Sequence, residues 1–264
     1  MDGLSHDRLA ARAPATIARL IDAVDGEHVK RSLSNIYVSR KYGYLFHSNP
    51  KAACSSIKHK LFELEAPASV AWKGRMSVHA QEFSPLLGLP HFLHDSEAAA
   101  RPIYSFCFVR NPFSRLFSAY TDKIRGGMSH KRQIERVLGL PEQGADVEIS
   151  FRDFIRAIQL MDDDALDGHW AIQTQRLRYD RFAFSFTGAF ERLAEDLPRA
   201  LKGAGVDKAE IGVLSRRNRS SYDQTIMDVM DEETAAMIRE RYADDFALLG
   251  YSGDPADAAE PPAP

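Results

Sequence analysis

The chain has 264 residues, 44% hydrophobic and 27% charged, with a formal net charge of -3 and two cysteines, Cys54 and Cys107. That is enough chain for one substantial α/β domain or two small ones. The slightly acidic balance excludes a general nucleic-acid or heparin binder, so an anion site has to be local, built by a few placed cations. Two cysteines support no disulfide framework and point to a reducing compartment. No apolar run reaches the length of a membrane span, and Met1 to Arg19 lacks the apolar core of a signal peptide.

In chain order, residues 1–34 read as a peripheral segment. Within it, Ile17, Leu20, Ile21 and Val24 give Thr16 to Val24 one apolar helical face. Ile36 to Ser39, a turn over Arg40 to Gly43, and Tyr44 to Ser48 predict a hairpin or a bent strand. Ser55 to Leu64 predicts a helix with Ile57, Leu61 and Leu64 inward. Ile103 to Val109 is almost uninterruptedly apolar, as expected of a central parallel strand. Pro112 fits the first turn of the next helix, whose stripe is Phe113, Leu116, Phe117, Tyr120 and Ile124 and whose end is Gly126-Gly127.

Further helices are predicted over Phe151 to Leu160, Glu191 to Leu201 and Glu232 to Leu249, with a late strand over Phe182 to Phe190. Gly88 to Pro102 and Gly126 to Ser150 read as long irregular stretches, and residues 252–264, rich in Pro, Ala, Asp and Glu, as a disordered tail. The β-α-β-α rhythm predicts an α/β fold of three layers, P-loop-like, with a central, mostly parallel sheet flanked by helices.

Two strand-to-helix turns carry the chemistry. The first is Asn49-Pro50-Lys51-Ala52-Ala53-Cys54-Ser55-Ser56 and the second Arg110-Asn111-Pro112-Phe113-Ser114-Arg115-Leu116-Phe117-Ser118-Ala119-Tyr120. A strand that turns through small residues into a helix points backbone N–H groups at one spot, which suits an anion. Lys51 sets an ammonium beside Ser55 and Ser56, but the Gly-Lys-Ser/Thr ending of a Walker A loop is missing. A plain capped helix after a Pro turn accounts for these residues equally well.

In the second turn, Arg110 ends a buried strand and needs either a carboxylate or an anionic ligand. Ser118, two helical turns on, can add a hydroxyl to the same anion. A salt-bridged arginine and a packing serine are the alternative.

Taken together, the two segments closely resemble the phosphosulfate-binding and 3′-phosphate-binding motifs of the PAPS-dependent sulfotransferases. The resemblance is to the carbohydrate type (heparan 2-O-, chondroitin and HNK-1 sulfotransferases and their bacterial relatives). Phe151 to Ile155, Asp167 to Trp170, Gly188 to Leu193 with Asp196, Asn218 to Tyr222, Tyr242 to Phe246 and Gly250-Tyr251 look like later landmarks of that family. The resemblance covers about residues 36 to 251, so residues 35–251 are expected to form the sulfotransferase domain. Two departures stand out. Ala52-Ala53-Cys54 replaces a stretch that often carries Gly and Thr, and Asn111 stands where Asp is common.

The resemblance implies sulfuryl transfer from PAPS to a hydroxyl of a carbohydrate or glycolipid acceptor by in-line displacement, releasing PAP and requiring no metal. Lys51 would neutralise charge on the leaving group, and Ala52, Ala53, Cys54, Ser55 and Ser56 would hold the phosphosulfate. Arg110 and Ser118 would bind the 3′-phosphate, while Arg217 and Arg219 would close over the nucleotide. His79 resembles the catalytic base of one branch, and His169 is the runner-up. The competing functions are a P-loop-like small-molecule kinase using ATP, and a non-catalytic member that binds nucleotide or glycan only. The partners expected are a small-molecule or glycan acceptor, with no nucleic acid and no membrane span, and the location expected is cytoplasmic.

Overall fold

Residues 15–22, 35–65, 86–89, 103–126, 128–140, 147–212 and 225–263 are described by a computed structural model of the chain. In order they form α1 (Ala15–Asp22), β1 (Ile36–Val38), β2 (Tyr44–His47), α2 (Cys54–Glu65), β3 (Leu87–Gly88) and β4 (Tyr104–Val109). Then come α3 (Pro112–Ala119), α4 (Met128–Val137), α5 (Phe151–Gln159), α6 (Gln173–Leu177) and β5 (Phe186–Ala189). The chain closes with α7 (Leu193–Gly203), α8 (Lys208–Ile211), α9 (Glu232–Arg241) and α10 (Ala243–Leu249). Among the described residues no helix is long and apolar enough to cross a membrane. The chain divides into two compact units, Met1–Val109 with Gln175–Arg217, and Arg110–Thr174 with Asn218–Pro264.

The first unit holds the sheet, in the order β3-β1-β2-β4-β5. β1 is antiparallel to both β2 and β3, while β2, β4 and β5 are parallel neighbours. Four of the five strands therefore run the same way, giving the mostly parallel α/β sheet flanked by helices. The hairpin expected at Arg40 to Gly43 is present: Ser39 N–H donates to Tyr44 O at 2.9 Å, and Gly43 takes a φ of 69° to close the turn.

Alternate residues of a strand share a face. Tyr44 and Phe46 of β2 and Phe106 and Phe108 of β4 pack with Ile57, Leu61 and Phe62 of α2 and Leu197, Ala200 and Leu201 of α7. Gly188 of β5 has to be glycine, because a Cβ there would stand 2.3 Å from the Phe108 ring. Asp196 of α7 anchors the end of β5: its buried carboxylate accepts Ala189 N–H at 2.9 Å and the Arg199 guanidinium at 2.9 Å.

The opposite positions carry His47, Cys107 and Thr187, which are register partners on the three parallel strands. Burial pushes the Cys107 thiol up to about 12, so it is no nucleophile at neutral pH. His47 is fully buried, neither ring nitrogen has a hydrogen-bond partner, and burial together with the charge of Arg176 lowers its pKa to about 3.

The folded value lies below the ~6.5 of an unfolded histidine. The fold therefore carries no ionisation penalty from His47 above pH ~6.5, and it loses stability as pH falls from ~6.5 toward the folded value. A His47→Leu variant removes two unsatisfied polar atoms. It is expected to gain about 1–3 kcal/mol at neutral pH and to unfold at lower pH than the parent, as read by circular dichroism across an acid titration.

The second unit is helical. Its core includes Phe113, Leu116, Tyr120, Phe154, Ile158, Trp170, Ile238 and Tyr242. The helix expected to run from Pro112 to the glycines is α-helical to Ala119 and then widens into a π turn over Tyr120–Ile124.

Four expectations are corrected. Gly126 to Ser150 is not all irregular, since α4 lies inside it. The late strand is shorter than Phe182 to Phe190, because the rings of Phe182 and Phe184 pack edge to face at 4.8 Å before β5 begins. The expected helix from 232 to 249 breaks at Tyr242, whose φ of -112° and ψ of 28° leave the helical region. Its buried hydroxyl is held by the Trp170 carbonyl.

The expected disordered tail is instead folded back. Pro255–Asp257 forms a 3₁₀ turn, Ala258 is 3% exposed in the core of this unit, and Ala263 N–H donates to Gly250 O at 3.0 Å.

Candidate functional site

The first turn lies between β2 and α2. Ala52 N–H donates to Asn49 O at 3.2 Å, closing a four-residue turn with Pro50 second and Lys51 third. Lys51 has a φ of 67°. Pro50 cannot take a positive φ, so this is a type II pattern, whose third position normally belongs to glycine. Ala53 is also left-handed, with a φ of 60°. Each such residue costs about 1–2 kcal/mol, and strain of this kind gathers at functional sites.

Ala53 O accepts Ile57 N–H at 3.0 Å, which makes Ala53 the residue that opens α2. Alanine has no side-chain oxygen to cap the first-turn N–H groups of Cys54, Ser55 and Ser56. The turn is anchored from below, where Asn49 Nδ2 donates to Phe108 O of β4 at 3.1 Å. Lys51, Ser55 and Ser56 are half-buried and Ala52 is buried.

The second turn belongs to the other unit. Asn111 is the N-cap of α3: its Oδ1 accepts Phe113 N–H at 3.0 Å, and Pro112 follows at the first helical position. Its Nδ2 donates to Asp257 O at 3.4 Å. An aspartate would cap as well but could not make that second bond, which gives this departure from the family pattern a local structural reason.

Arg110 Nε donates to Ser114 Oγ at 3.0 Å. Ser114 is four residues before Ser118, so the two serines share a face of α3, and Arg110, just ahead of the N-cap, reaches that face through its bond to Ser114. Sequence reasoning passes over Ser114, although that spacing could have marked it.

The Arg110 backbone is held by a buried amide. Gln173 Oε1 accepts Arg110 N–H at 3.0 Å and Gln173 Nε2 donates to Arg110 O at 2.8 Å. Asp245 in turn accepts Gln173 N–H at 2.9 Å, Thr174 N–H at 2.8 Å and Thr174 Oγ1 at 2.9 Å. Burial pushes the Asp245 carboxyl up, and the N–H groups of Thr174 and Gln173 and the nearby Arg115 charge hold it back. Arg115 is 1% exposed and spends its guanidinium on the carbonyls of Ala171 and Gly168, at 2.8 and 3.0 Å, so it shapes the bend before α6 rather than facing a ligand.

That bend carries His169. Its Nδ1 lies 2.5 Å from Asp167 Oδ1, and its backbone N–H reaches the same oxygen at 2.9 Å. Burial would raise the Asp167 carboxyl, but these bonds outweigh it and hold the pKa down to about 2. A carboxylate at Nδ1 fixes the tautomer of the imidazole, the arrangement that suits proton exchange through Nε2. His79, Arg217 and Arg219 lie outside the described residues.

Residues 34–252 match the model of the sulfotransferase family. The chain belongs to the sulfotransferase family. The chain is 27% identical to carbohydrate sulfotransferase 14 of Danio rerio over 185 residues, covering 67% of the chain and 50% of that protein. It is 27% identical to carbohydrate sulfotransferase 10 of Gallus gallus over 240 residues, covering 83% of the chain and 67% of that protein. With carbohydrate sulfotransferase 9 of Homo sapiens it shares 28% identity over 234 residues, covering 83% of the chain and 50% of that protein. The chain thus spans one half to two thirds of the length of these relatives. No solved structure matches it.

Within the family frame, Lys51 to Ser56 sit together at the mouth of α2 in one unit. Ser114 and Ser118 sit on α3 in the other, with Arg110 just before its N-cap and Gln173 behind Arg110.

Proposed function

We propose that this chain transfers the sulfuryl group of PAPS to a hydroxyl of a carbohydrate or glycolipid acceptor. The observation that carries the reading is the strained turn before α2, where Lys51 and Ala53 are both left-handed and an alanine opens the helix without a capping oxygen. Strain held at the entrance of a helix is understandable if an anion binds the first-turn N–H groups. The relatives named carbohydrate sulfotransferases support the acceptor class.

In this reading the acceptor oxygen attacks sulfur in line, the new S–O bond forms as the bond to the bridging phosphate oxygen breaks, and PAP leaves. Lys51 neutralises the charge that grows on that oxygen. Ala52, Ala53, Cys54, Ser55 and Ser56 hold the phosphosulfate. Arg110, with Ser118, holds the 3′-phosphate, and Ser114 and Gln173 keep Arg110 in place. Arg217 and Arg219 close over the nucleotide. No residue in this scheme calls for a metal.

The acceptor proton goes to His79. The Asp167–His169 pair favours a second assignment, because a carboxylate already fixes that imidazole.

The test is PAP release from PAPS over a panel of sugars, glycolipids and small hydroxyl compounds in the presence of EDTA, with sulfate incorporation scored. Turnover is expected with a glycan acceptor and is expected to disappear in His79→Ala. Turnover kept in His79→Ala and lost in His169→Ala would move the base to His169, and transfer abolished by EDTA would contradict the metal-free scheme.

A further inference from the structure

Away from the two strand-to-helix turns, one cluster among the described residues combines histidines with a carboxylate. His130 of α4 and Asp167 and His169 of the bend before α6 each offer a donor atom within 4.8 Å of the other two. His130 Nε2 stands 3.7 Å from Asp167 Oδ2, and His169 Nδ1 stands 2.5 Å from Asp167 Oδ1. The two oxygens of one carboxylate therefore face two different imidazoles. The rings of His130 and His169 meet edge to face, with centroids 5.5 Å apart.

The surroundings fix this arrangement. Asp167 and His169 share a bend whose carbonyls at Gly168 and Ala171 are gripped by the buried Arg115. The buried Trp170 ring packs edge to face against His130, at 5.8 Å between centroids. The Trp170 carbonyl is in turn held by the Tyr242 hydroxyl. On the open side the side chains of His130, Asp167 and His169 are 26%, 31% and 29% exposed, so an ion bound there would keep positions for water.

We propose that His130, Asp167 and His169 form a binding site for a divalent transition-metal ion of the Zn²⁺ class. Two imidazoles and one carboxylate suit Zn²⁺, Co²⁺ or Ni²⁺, whereas Mg²⁺ and Ca²⁺ prefer sets made of oxygens. Three protein ligands on a bend and a helix leave the open coordination of a site that exchanges its ion. The ion takes the place of the proton between His169 and Asp167; the neutral imidazole then carries that proton on Nε2, and a protonated His130 or His169 gives one up to solvent on binding. An occupied site also withdraws His169 from proton chemistry. The proposal stands on the cluster alone and does not depend on how sulfuryl transfer is read.

The full chain, stripped with EDTA and dialysed, is titrated with Co²⁺ and then Zn²⁺. One Co²⁺ per chain is expected, with visible d–d absorption that Zn²⁺ displaces and that Mg²⁺ leaves unchanged. Zn²⁺ is expected to raise the melting temperature. His130→Ala and His169→Ala, each checked by circular dichroism, should lose the band and weaken Zn²⁺ by at least ~10-fold. Should His169→Ala fail to fold, His130→Ala decides, because its ring is only partly covered on the surface of α4. Absence of saturable uptake, or equal uptake by the parent and His130→Ala, would overturn the site.

Discussion

Replacing Arg110 by alanine is expected to weaken PAP binding by ~30- to 1,000-fold while leaving 5′-AMP binding close to that of the parent. The expectation follows from truncating a partly buried charge that pairs with a phosphate, which costs about 2–4 kcal/mol. It also follows from where the guanidinium is fixed. Its Nε bonds to Ser114 Oγ, which orients the planar fork of the terminal nitrogens. The backbone on either side is locked by the Gln173 amide.

The comparison with 5′-AMP matters because that nucleotide lacks the 3′-phosphate. A variant that merely unfolded would lose both ligands. Arg110→Lys should fall between parent and Arg110→Ala, because lysine keeps the charge and loses the planar fork. Isothermal calorimetry with both nucleotides reads all three proteins. Equal loss of both ligands in a folded Arg110→Ala would remove the 3′-phosphate assignment.

Lys51→Ala is expected to lower turnover by ~10²- to 10³-fold, the usual cost of removing one donor aimed at charge that develops in a transition state. PAP affinity should fall much less. The backbone at this position supplies an internal control. Lys51 sits at a φ of 67°, and alanine is strained there as lysine is. Glycine relieves the strain but also lacks the ammonium. If the ammonium acts, Lys51→Ala and Lys51→Gly lose turnover alike, whatever each does to the melting temperature. Turnover restored in the glycine variant would show that the shape of the turn, rather than the charge, was being read.

The parts legible from sequence are those set by local pattern. The apolar run to Val109 predicts β4, the turn at Arg40 to Gly43 predicts the hairpin, and the small residues before Ile57 predict the entrance to α2. Lys51 and Arg110 stand out because a cation beside a strand-to-helix turn is a local feature. What escapes depends on bonds across long separations. Gln173 lies 63 residues from Arg110, and Asp245 lies 72 residues from Gln173, so no periodicity links them. Arg115 looks like one more member of a motif, and only its two carbonyl partners show it to be structural.

The break at Tyr242 has the same cause. The segment is amphipathic through the break, and the tether that fixes the tyrosine is the carbonyl of Trp170. Composition misleads in two places. Residues 252–263 have the Pro, Ala and acidic content of a tail, yet Ala258 reaches the core and Asp257 O accepts a bond from Asn111. α4 is polar along most of its length, with Ile134 its fully buried anchor, so a window average sees a loop.

On the proposed reading, the chain binds one 3′-phosphorylated adenine nucleotide without a metal. Paired calorimetric titrations of the parent chain with PAP and with Mg²⁺·ATP put this to the test. Saturable binding of PAP at one site per chain is expected, independent of Mg²⁺, with Mg²⁺·ATP far weaker. Tight Mg²⁺-dependent binding of ATP with none of PAP would contradict it.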